Sequence, residues 1–270
     1  MRVVSLLLTL TCLHGESILR QDTPLDAGFR HMYNLQFDAA HQAFGEWERQ
    51  HPDDPLGPVF DAAAYLFSEF ERLHVLELEF FNDDSNFLTR QKLRADPAVK
   101  QSFDAALARG EELAGRILER SPQDRNAMFA EILRSGLNAD YLALIEKKNL
   151  AALRDAKNGR ELAEKLVAAD PNFCDAYLAI GVENYLLSLK PAPVRWLLRM
   201  SGAQTDKEVG IARVSLTAEC GHYLLPYARV LLAVAALRDR NLNRAREILA
   251  DLSREFPYNR LYAQQLARLR

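Results

Sequence analysis

The sequence predicts an all-α protein built from stacked helical hairpins. Three observations lead to this prediction. Apolar residues recur at spacings of three and four, a helix-ending proline returns at four places, and no stretch shows the alternating pattern of a strand. Of the 270 residues, 49% are hydrophobic and 26% are charged, which is the composition of a globular chain with enough apolar material for a core.

Four prolines mark the ends of predicted helices. Proline cannot continue a helix, and an Asp or Asn that follows it can cap the next helix. Such a polar residue stands within two positions after each proline. The four are Pro52, Pro122, Pro171 and Pro257.

The residues before each proline share one pattern of side-chain size. The residue twelve positions before the proline is small, and the residues eight and five positions before it are apolar or aromatic. Spacings of four and three residues place all three on one helix face. The positions at eight are Phe44, Ala114, Ala163 and Leu249, and those at five are Trp47, Ile117, Leu166 and Leu252. We therefore expect the small residues to be buried where two helices touch. These are Ala40, Gly110, Gly159 and Ala245.

A second position, small in three of four cases, follows ten residues after each proline: Ala62, Ile132, Gly181 and Ala267, with Gly28 ahead of the first proline. The combination resembles the tetratricopeptide repeat (TPR), and its best single match runs from Asp170 to Gly181. The resemblance covers most of residues 22–270. It implies a tetratricopeptide-like solenoid of about five antiparallel helical hairpins plus a C-terminal capping helix.

The prolines are not evenly spaced, so insertions must interrupt the regular period of about 34 residues. We predict hairpins over residues 22–51, 55–120, 124–169, 172–220 and 222–256, and a capping helix over 257–269. Inserts run from Phe80 to Asp96 and from Lys190 to Thr205. We expect Phe81 or Phe87 and Trp196 to be mostly buried against neighbouring hairpins. The alternative for the second insert is contact with a membrane interface, where Trp and Arg are favoured.

Residues 1–17 resemble a secretory signal peptide. Met1-Arg2 carries a positive charge, an apolar run follows from Val3 to Leu13, and small residues precede a possible cleavage after Ser17. This pattern predicts an exported protein, periplasmic or secreted, whose repeat domain spans residues 22–270. The alternative is a cytoplasmic protein with an additional N-terminal helix. No later stretch is apolar enough for a transmembrane segment.

No pattern in the sequence indicates catalysis, a cofactor or a metal. Nucleotide-binding, zinc-protease and nucleophile-elbow motifs are missing. His31 and His41 lie without an evident third ligand, and Glu183 has no partnered acid or nucleophile. A net charge of −3 and a pI near 6.1 disfavour nucleic acid as a partner. We therefore predict that the chain is not an enzyme.

The TPR resemblance implies a protein–protein interaction scaffold. In such arrays the first helix of each hairpin lines a concave groove that usually binds a protein or peptide. Here the implied groove is mostly apolar, which leaves two interpretations. The inserts fold back and bury it, or it stays open for a partner helix, a hydrophobic small molecule or a lipid. The candidate groove residues are Met32, Tyr33, Leu66, Phe67, Phe129, Leu133, Leu178, Val182, Tyr185, Val234 and Leu237.

Two cysteines lie within the predicted repeat domain. Cys174 begins the fourth hairpin and Cys220 ends it, and because its helices run antiparallel, both should lie at the same pole. A disulfide requires Cα atoms within about 7 Å. Cysteine is also a common small core residue, and unbonded core cysteines are the interpretation we favour here.

Overall fold

The computed structural model describes residues 23–76, 92–190, 194–196, 200 and 202–269. Within these residues the regular secondary structure is entirely helical. A π-turn (Tyr141–Ile145) follows α5 and a 3₁₀ turn (Cys174–Ala176) precedes α7. The helices are α1 (Pro24–Tyr33), α2 (Phe37–Gln50), α3 (Leu56–Arg72), α4 (Pro97–Arg120), α5 (Arg125–Asp140), α6 (Asn149–Ala169), α7 (Tyr177–Ser188), α8 (Lys207–Cys220), α9 (Leu225–Arg238), α10 (Leu242–Glu255) and α11 (Arg260–Arg268).

The helices pack in chain order as five hairpins. The pairs are α1 with α2, α3 with α4, α5 with α6, α7 with α8 and α9 with α10, and α11 packs on α10. Each hairpin also packs against the next through its second helix. The chain is therefore an all-α solenoid, and its helix bounds lie inside the ranges predicted for the hairpins.

The four prolines occupy the same turn after the first, second, third and fifth hairpins. The residue before each proline donates its N–H to the carbonyl four residues earlier, at 2.7 or 2.8 Å, which closes the helix. The residue two after the proline then donates back to the residue before it, at 2.9–3.1 Å. Asp54, Asp124 and Asn259 also accept backbone N–H groups from the first turn of the following helix. These shared bonds support one repeat register throughout the chain.

The prediction for the first set of small residues is confirmed, since Ala40, Gly110, Gly159 and Ala245 are all buried. The contact is tight in the second hairpin, where a Cβ on Gly110 would lie 2.4 Å from Val59 Cγ2. Of the second set of repeat positions, Ala62, Ile132 and Gly181 are buried and Ala267 is exposed. Ala267 lies on the last described helix, which packs mainly on the helix before it.

Both inserts lie only partly within the described residues. Phe81 and Phe87 lie outside the described residues. The prediction for Trp196 is wrong, because its side chain is 65% exposed. The neighbouring Arg195 donates to the carbonyls of Ser188 and Lys190 at the end of α7, which fixes this segment to the solenoid through backbone contacts.

A disulfide joins Cys174 to Cys220, with Cα atoms 5.6 Å apart. The expected placement at one pole is confirmed, whereas the interpretation as unbonded core cysteines is wrong. The bond ties the start of the fourth hairpin to its end. Thr217 reinforces the same junction, since its hydroxyl donates to the Cys174 carbonyl at 2.8 Å.

Replacement of Ala245 by Leu should lower the free energy of unfolding by roughly 1–3 kcal/mol, because the added atoms enter a filled helix contact. Ala267→Leu is the matched control at an exposed small position, and it should change that free energy by less than about 0.5 kcal/mol. Urea titration measures both. Equal effects of the two variants would contradict the packing described here.

Candidate functional site

The concave side of the solenoid is filled by aromatic rings. Tyr223, in the loop between α8 and α9, lies at their centre. Its ring centroid is 5.0 Å from that of Phe29, 4.8 Å from Phe60 and 6.5 Å from Phe129. These three rings come from the first three hairpins, so one loop residue contacts most of the array. The inner face of the solenoid is therefore its core.

The first hairpin closes this core by packing against the end of the chain. The Tyr33 hydroxyl donates to the Tyr223 carbonyl at 2.9 Å. Asn34 Oδ1 accepts the Tyr258 N–H at 3.1 Å, and Asn259 Nδ2 donates to the Tyr33 carbonyl at 2.9 Å. The partners in these three hydrogen bonds lie between 190 and 226 positions apart in the sequence. The array is closed on itself rather than open along its concave side.

This closure determines where the candidate groove residues lie. None of them is exposed. The buried ones are Met32, Tyr33, Leu66, Phe129, Leu178, Tyr185 and Val234, and the half-buried ones are Phe67, Leu133, Val182 and Leu237. An open groove at these residues is therefore not formed. Among the described residues, the Tyr223 loop and the turn before α11 contact the inner side of the first hairpins.

One apolar cavity inside the described part of the chain is small. An apolar cavity between Tyr185, Val214 and Leu231 has a volume of about 20 Å³. Sites for small molecules usually have several hundred Å³. This cavity therefore does not support the alternative function of a lipid or small-molecule carrier.

Asp175 organises the loop that carries Tyr223. Its buried carboxyl group accepts the backbone N–H groups of His222, Tyr223 and Leu224 at 2.9, 3.1 and 3.0 Å. Burial raises the pKa of this carboxyl, although the three N–H groups counteract part of that rise. A Cβ at Gly221 would lie 2.8 Å from Asp175 Oδ1, so the close approach requires glycine. Asp175 was not among the site residues predicted from the sequence. Its signal in the sequence is an acidic side chain beside the apolar start of a predicted helix.

A histidine–aspartate pair joins the same loop to α1. His222 Nε2 lies 2.6 Å from Oδ1 of Asp26, whose side chain is buried. Thr23 and Asp26 also form the capping box of α1. Burial would raise the pKa of the Asp26 carboxyl, but hydrogen bonds from His222 and Thr23 outweigh that effect and hold it below its usual value. The pair therefore contributes to the closure of the array.

Glu183, which the sequence left without a partner, belongs to a buried ion-pair network. Arg160 Nε donates to Glu183 Oε2 at 2.9 Å, and Arg160 Nη1 donates to Glu164 at 2.9 Å. Gln204 donates to Glu164 at 2.6 Å and accepts from Asn184 at 2.7 Å. Burial raises the pKa of Glu183, and the Arg160 guanidinium offsets part of the rise. The network fixes residues 202–206 against α6 and α7.

The two candidate histidines remain apart from any metal-like cluster. His31 Nδ1 lies 3.0 Å from Gln36 Oε1, and His41 Nδ1 lies 2.5 Å from Asp61 Oδ1 with its ring near that of Tyr65. In the described ranges, no three His, Cys, Asp or Glu side chains converge in a way that could hold a metal ion. Neither does any helix there combine the length and hydropathy needed to cross a membrane.

The pKa of the Asp140 carboxyl is raised by a single cause, its burial. Asp140 ends α5, directly before the π-turn, and burial alone raises its pKa to about 7. Its charge in turn contributes to raising the pKa of Tyr227 well above the usual value. Perturbed carboxyls of this kind occur at functional sites and also in structural interiors. No described group completes a catalytic set around Asp140.

A groove on the outer side of the solenoid remains unfilled. It lies between α4 and α6, with α5 as its floor, and has a volume of about 430 Å³. Glu111 and Gly115 line it from α4, Glu131 and Arg134 from α5, and Leu162 from α6. No position in this groove was among the sequence candidates, because the resemblance directs attention to the concave face.

Comparison with known proteins gives one distant likeness. No family model matches the sequence, and no curated protein matches it significantly. The crystal structure of TTC0263, a thermophilic TPR protein in Thermus thermophilus, is similar, with a TM-score of 0.47 and 13% sequence identity. The alignment covers 91% of this chain and 96% of that chain. A likeness this remote adds no argument about the site.

The packing of the chain itself defines its class. It is an all-α helical-repeat solenoid, with small buried residues at helix contacts and prolines that follow four of its hairpins. The array differs from an open scaffold in that its concave face is closed by contacts between its two ends.

Asp175→Ala should lower the free energy of unfolding by about 3 kcal/mol or more, because three backbone N–H groups lose their shared acceptor. Asp175→Asn keeps an amide oxygen that can still accept from His222 and Leu224, so its loss should be about half as large. Denaturant unfolding of both variants measures the difference. Losses below about 0.5 kcal/mol in both would show that the loop does not depend on this carboxyl.

Asp140→Asn should stabilise the protein more at pH 8 than at pH 5. A folded-state pKa of about 7, above that of the unfolded chain, means that the folded state binds the proton more tightly. The free energy of unfolding of the natural protein therefore falls as pH rises from about 4 to about 7, and the Asn variant lacks this loss. The gain at pH 8 should exceed that at pH 5 by roughly 2 kcal/mol. A pH-independent difference in urea titrations would contradict the expectation.

Proposed function

We propose that this chain is a non-catalytic scaffold that binds another protein or a peptide through its outer surface. Its polar clusters around Asp175 and Asp26 are engaged in contacts that hold the array closed, and the cluster around Glu183 holds residues 202–206 against α6 and α7. The fixed shape of such an array, rather than a reactive group, would then determine what it binds. The observation that supports the proposal is a group of exposed apolar side chains around Trp196.

Large apolar side chains are exposed together on the second insert and the end of α7. Trp196 is 65% exposed and Met200 69%, and Val194 and Leu186 are also exposed. Arg195 holds this segment at the end of α7 by two backbone contacts. Trp and Met are enriched in protein interfaces, and groups of exposed apolar side chains commonly mark them. This patch is therefore the best-supported contact surface for a partner.

Substitution of Trp196 by Ala tests the proposal. Truncation of a central interface aromatic often costs about 2 kcal/mol or more, so a partner captured by the natural chain should be largely lost. The assay is quantitative mass spectrometry of proteins captured from the native host by each variant. Tyr258→Ala is the matched control, because Tyr258 is 71% exposed but lies at the turn before α11. Indistinguishable sets of captured proteins for all three chains would count against the patch.

We further propose that the scaffold acts outside the cytoplasm. The charged and apolar pattern of residues 1–17 supports export, and the Cys174–Cys220 disulfide is of a kind that persists in oxidising compartments. Mass spectrometry of protein from the native host should find an N-terminus that lacks roughly the first 15–25 residues. An intact Met1 in a cytosolic fraction would exclude this part of the proposal.

A further inference from the structure

The disulfide of the fourth hairpin borders the loop that closes the array. Cys174 directly precedes Asp175 in the chain. Cys220, the last residue of α8, directly precedes Gly221, where the loop that carries Tyr223 begins. The bond therefore joins the same two chain segments that the three hydrogen bonds to the Asp175 carboxyl join. It holds the buried carboxyl beside the backbone N–H groups that it accepts.

The packing of α7 against α8 does not rely on the disulfide, because glycines let the two helices approach closely. A Cβ on Gly210 would lie 2.6 Å from the backbone nitrogen of Tyr185. A Cβ on Gly181, one turn earlier on α7, would lie 2.7 Å from the buried Val214 side chain. These contacts hold the two helices of the hairpin together. The effect of the bond is therefore concentrated at the end of the hairpin where the loop begins.

Without the disulfide, hydrogen bonds would hold the start of the hairpin to the end of α8 and the loop. The Thr217 hydroxyl donates to the Cys174 carbonyl at 2.8 Å, and the Asp175 carboxyl accepts from the loop. Burial disfavours the charged form of that carboxyl and raises its pKa, so its release into water would remove a desolvation cost. Hydrogen bonds can be exchanged for bonds to water, whereas a covalent bond opposes the release.

The disulfide can be approached from solvent on the side of Cys220. Cys220 is exposed and Cys174 is half-buried, whereas Asp175 and Thr217 beside them are buried. Thiol–disulfide exchange begins when a thiolate attacks one sulfur of the bond, and its rate depends on access to that sulfur. The bond is thus placed where a reductant can reach it without first opening the core.

We propose that the Cys174–Cys220 disulfide is a redox-sensitive switch for the loop of residues 221–224. A thiolate of a dithiol reductant attacks the Cys220 sulfur and displaces the Cys174 sulfur as a thiolate. The second thiol of the reductant then attacks its own sulfur in the mixed disulfide and releases Cys220. Two electrons pass to the protein, the two thiol protons end on Cys174 and Cys220, and the reductant leaves with a disulfide of its own. In the reduced chain the loop detaches from Asp175, while α7 and α8 stay packed.

This inference goes beyond the proposed scaffold function, because it gives the condition under which the concave side becomes accessible. In the oxidised chain, Tyr223 lies against the buried rings of Phe29, Phe60 and Phe129. Detachment of the loop withdraws the Tyr223 ring and uncovers this aromatic surface. An oxidising compartment therefore keeps the array closed, and a reducing one opens it.

Native-state hydrogen exchange with and without dithiothreitol tests the switch. Cys12, the third cysteine of the chain, is replaced by Ser in every sample, so that the reductant acts on one disulfide. In the oxidised chain, the amides of His222, Tyr223 and Leu224 should exchange as slowly as that of Ala233 in α9. After reduction they should exchange at least about tenfold faster than the Ala233 amide, because the loop then opens without global unfolding. Reoxidation should make the rates equal again.

The rate of the Ala233 amide separates a switch from a general staple of the fold. Equal rates for the loop and Ala233 after reduction, whether slow or fast, would overturn the inference. Slow rates would mean that hydrogen bonds alone hold the loop, and fast rates that the whole fold needs the bond. The double variant Cys174→Ala, Cys220→Ala is the control for other effects of the reductant. It should show the fast loop exchange without dithiothreitol and no further change with it, and slow loop exchange in this variant would contradict the switch.

Discussion

The three hydrogen bonds that Asp175 accepts from consecutive backbone N–H groups are the constraint on which the closed array depends. They fix the loop after α8, and that loop places Tyr223 among aromatic rings of the first three hairpins. The Tyr223 carbonyl then accepts the hydroxyl of Tyr33, while Asn34 and the Tyr33 carbonyl bond to Tyr258 and Asn259 near the end of the chain. A single buried carboxyl thus connects local loop geometry with long-range closure.

Closure changes what a repeat solenoid can offer to a partner. In an open array, the first helices of the hairpins leave a concave surface exposed, whereas here the same surface forms the core. The accessible surfaces then include the outer side, where the groove beside Gly115 is unfilled, and the second insert, where Trp196 is exposed. The buried Arg160–Glu183 pair joins α6 to α7, and Arg160 and Glu164 bond to Gly202 and Gln204 at the end of the second insert.

The repeat architecture could be predicted from the sequence because its signals are local. The turn at each proline and the small residue twelve positions earlier are determined by one helix and its neighbour, as at Gly110 and Val59. Closure could not be predicted in this way, since it depends on pairs such as Asn34 and Tyr258 that lie 224 positions apart. For that reason the sequence left open whether the candidate groove residues are accessible, and in the structure they are buried or half-buried. Ala267 has the repeat position but is exposed, and Trp196 has the size but not the position of a core residue.

Native-state hydrogen exchange of the His222, Tyr223 and Leu224 amides tests the central claim most directly. These amides lie in a loop before α9, where exchange is ordinarily fast. If the Asp175 carboxyl holds them as the anchor of the closed array, they should exchange only through global unfolding, as slowly as the buried Ala233 amide inside α9. Exchange at the rate of an exposed loop, while Ala233 stays protected, would contradict the account.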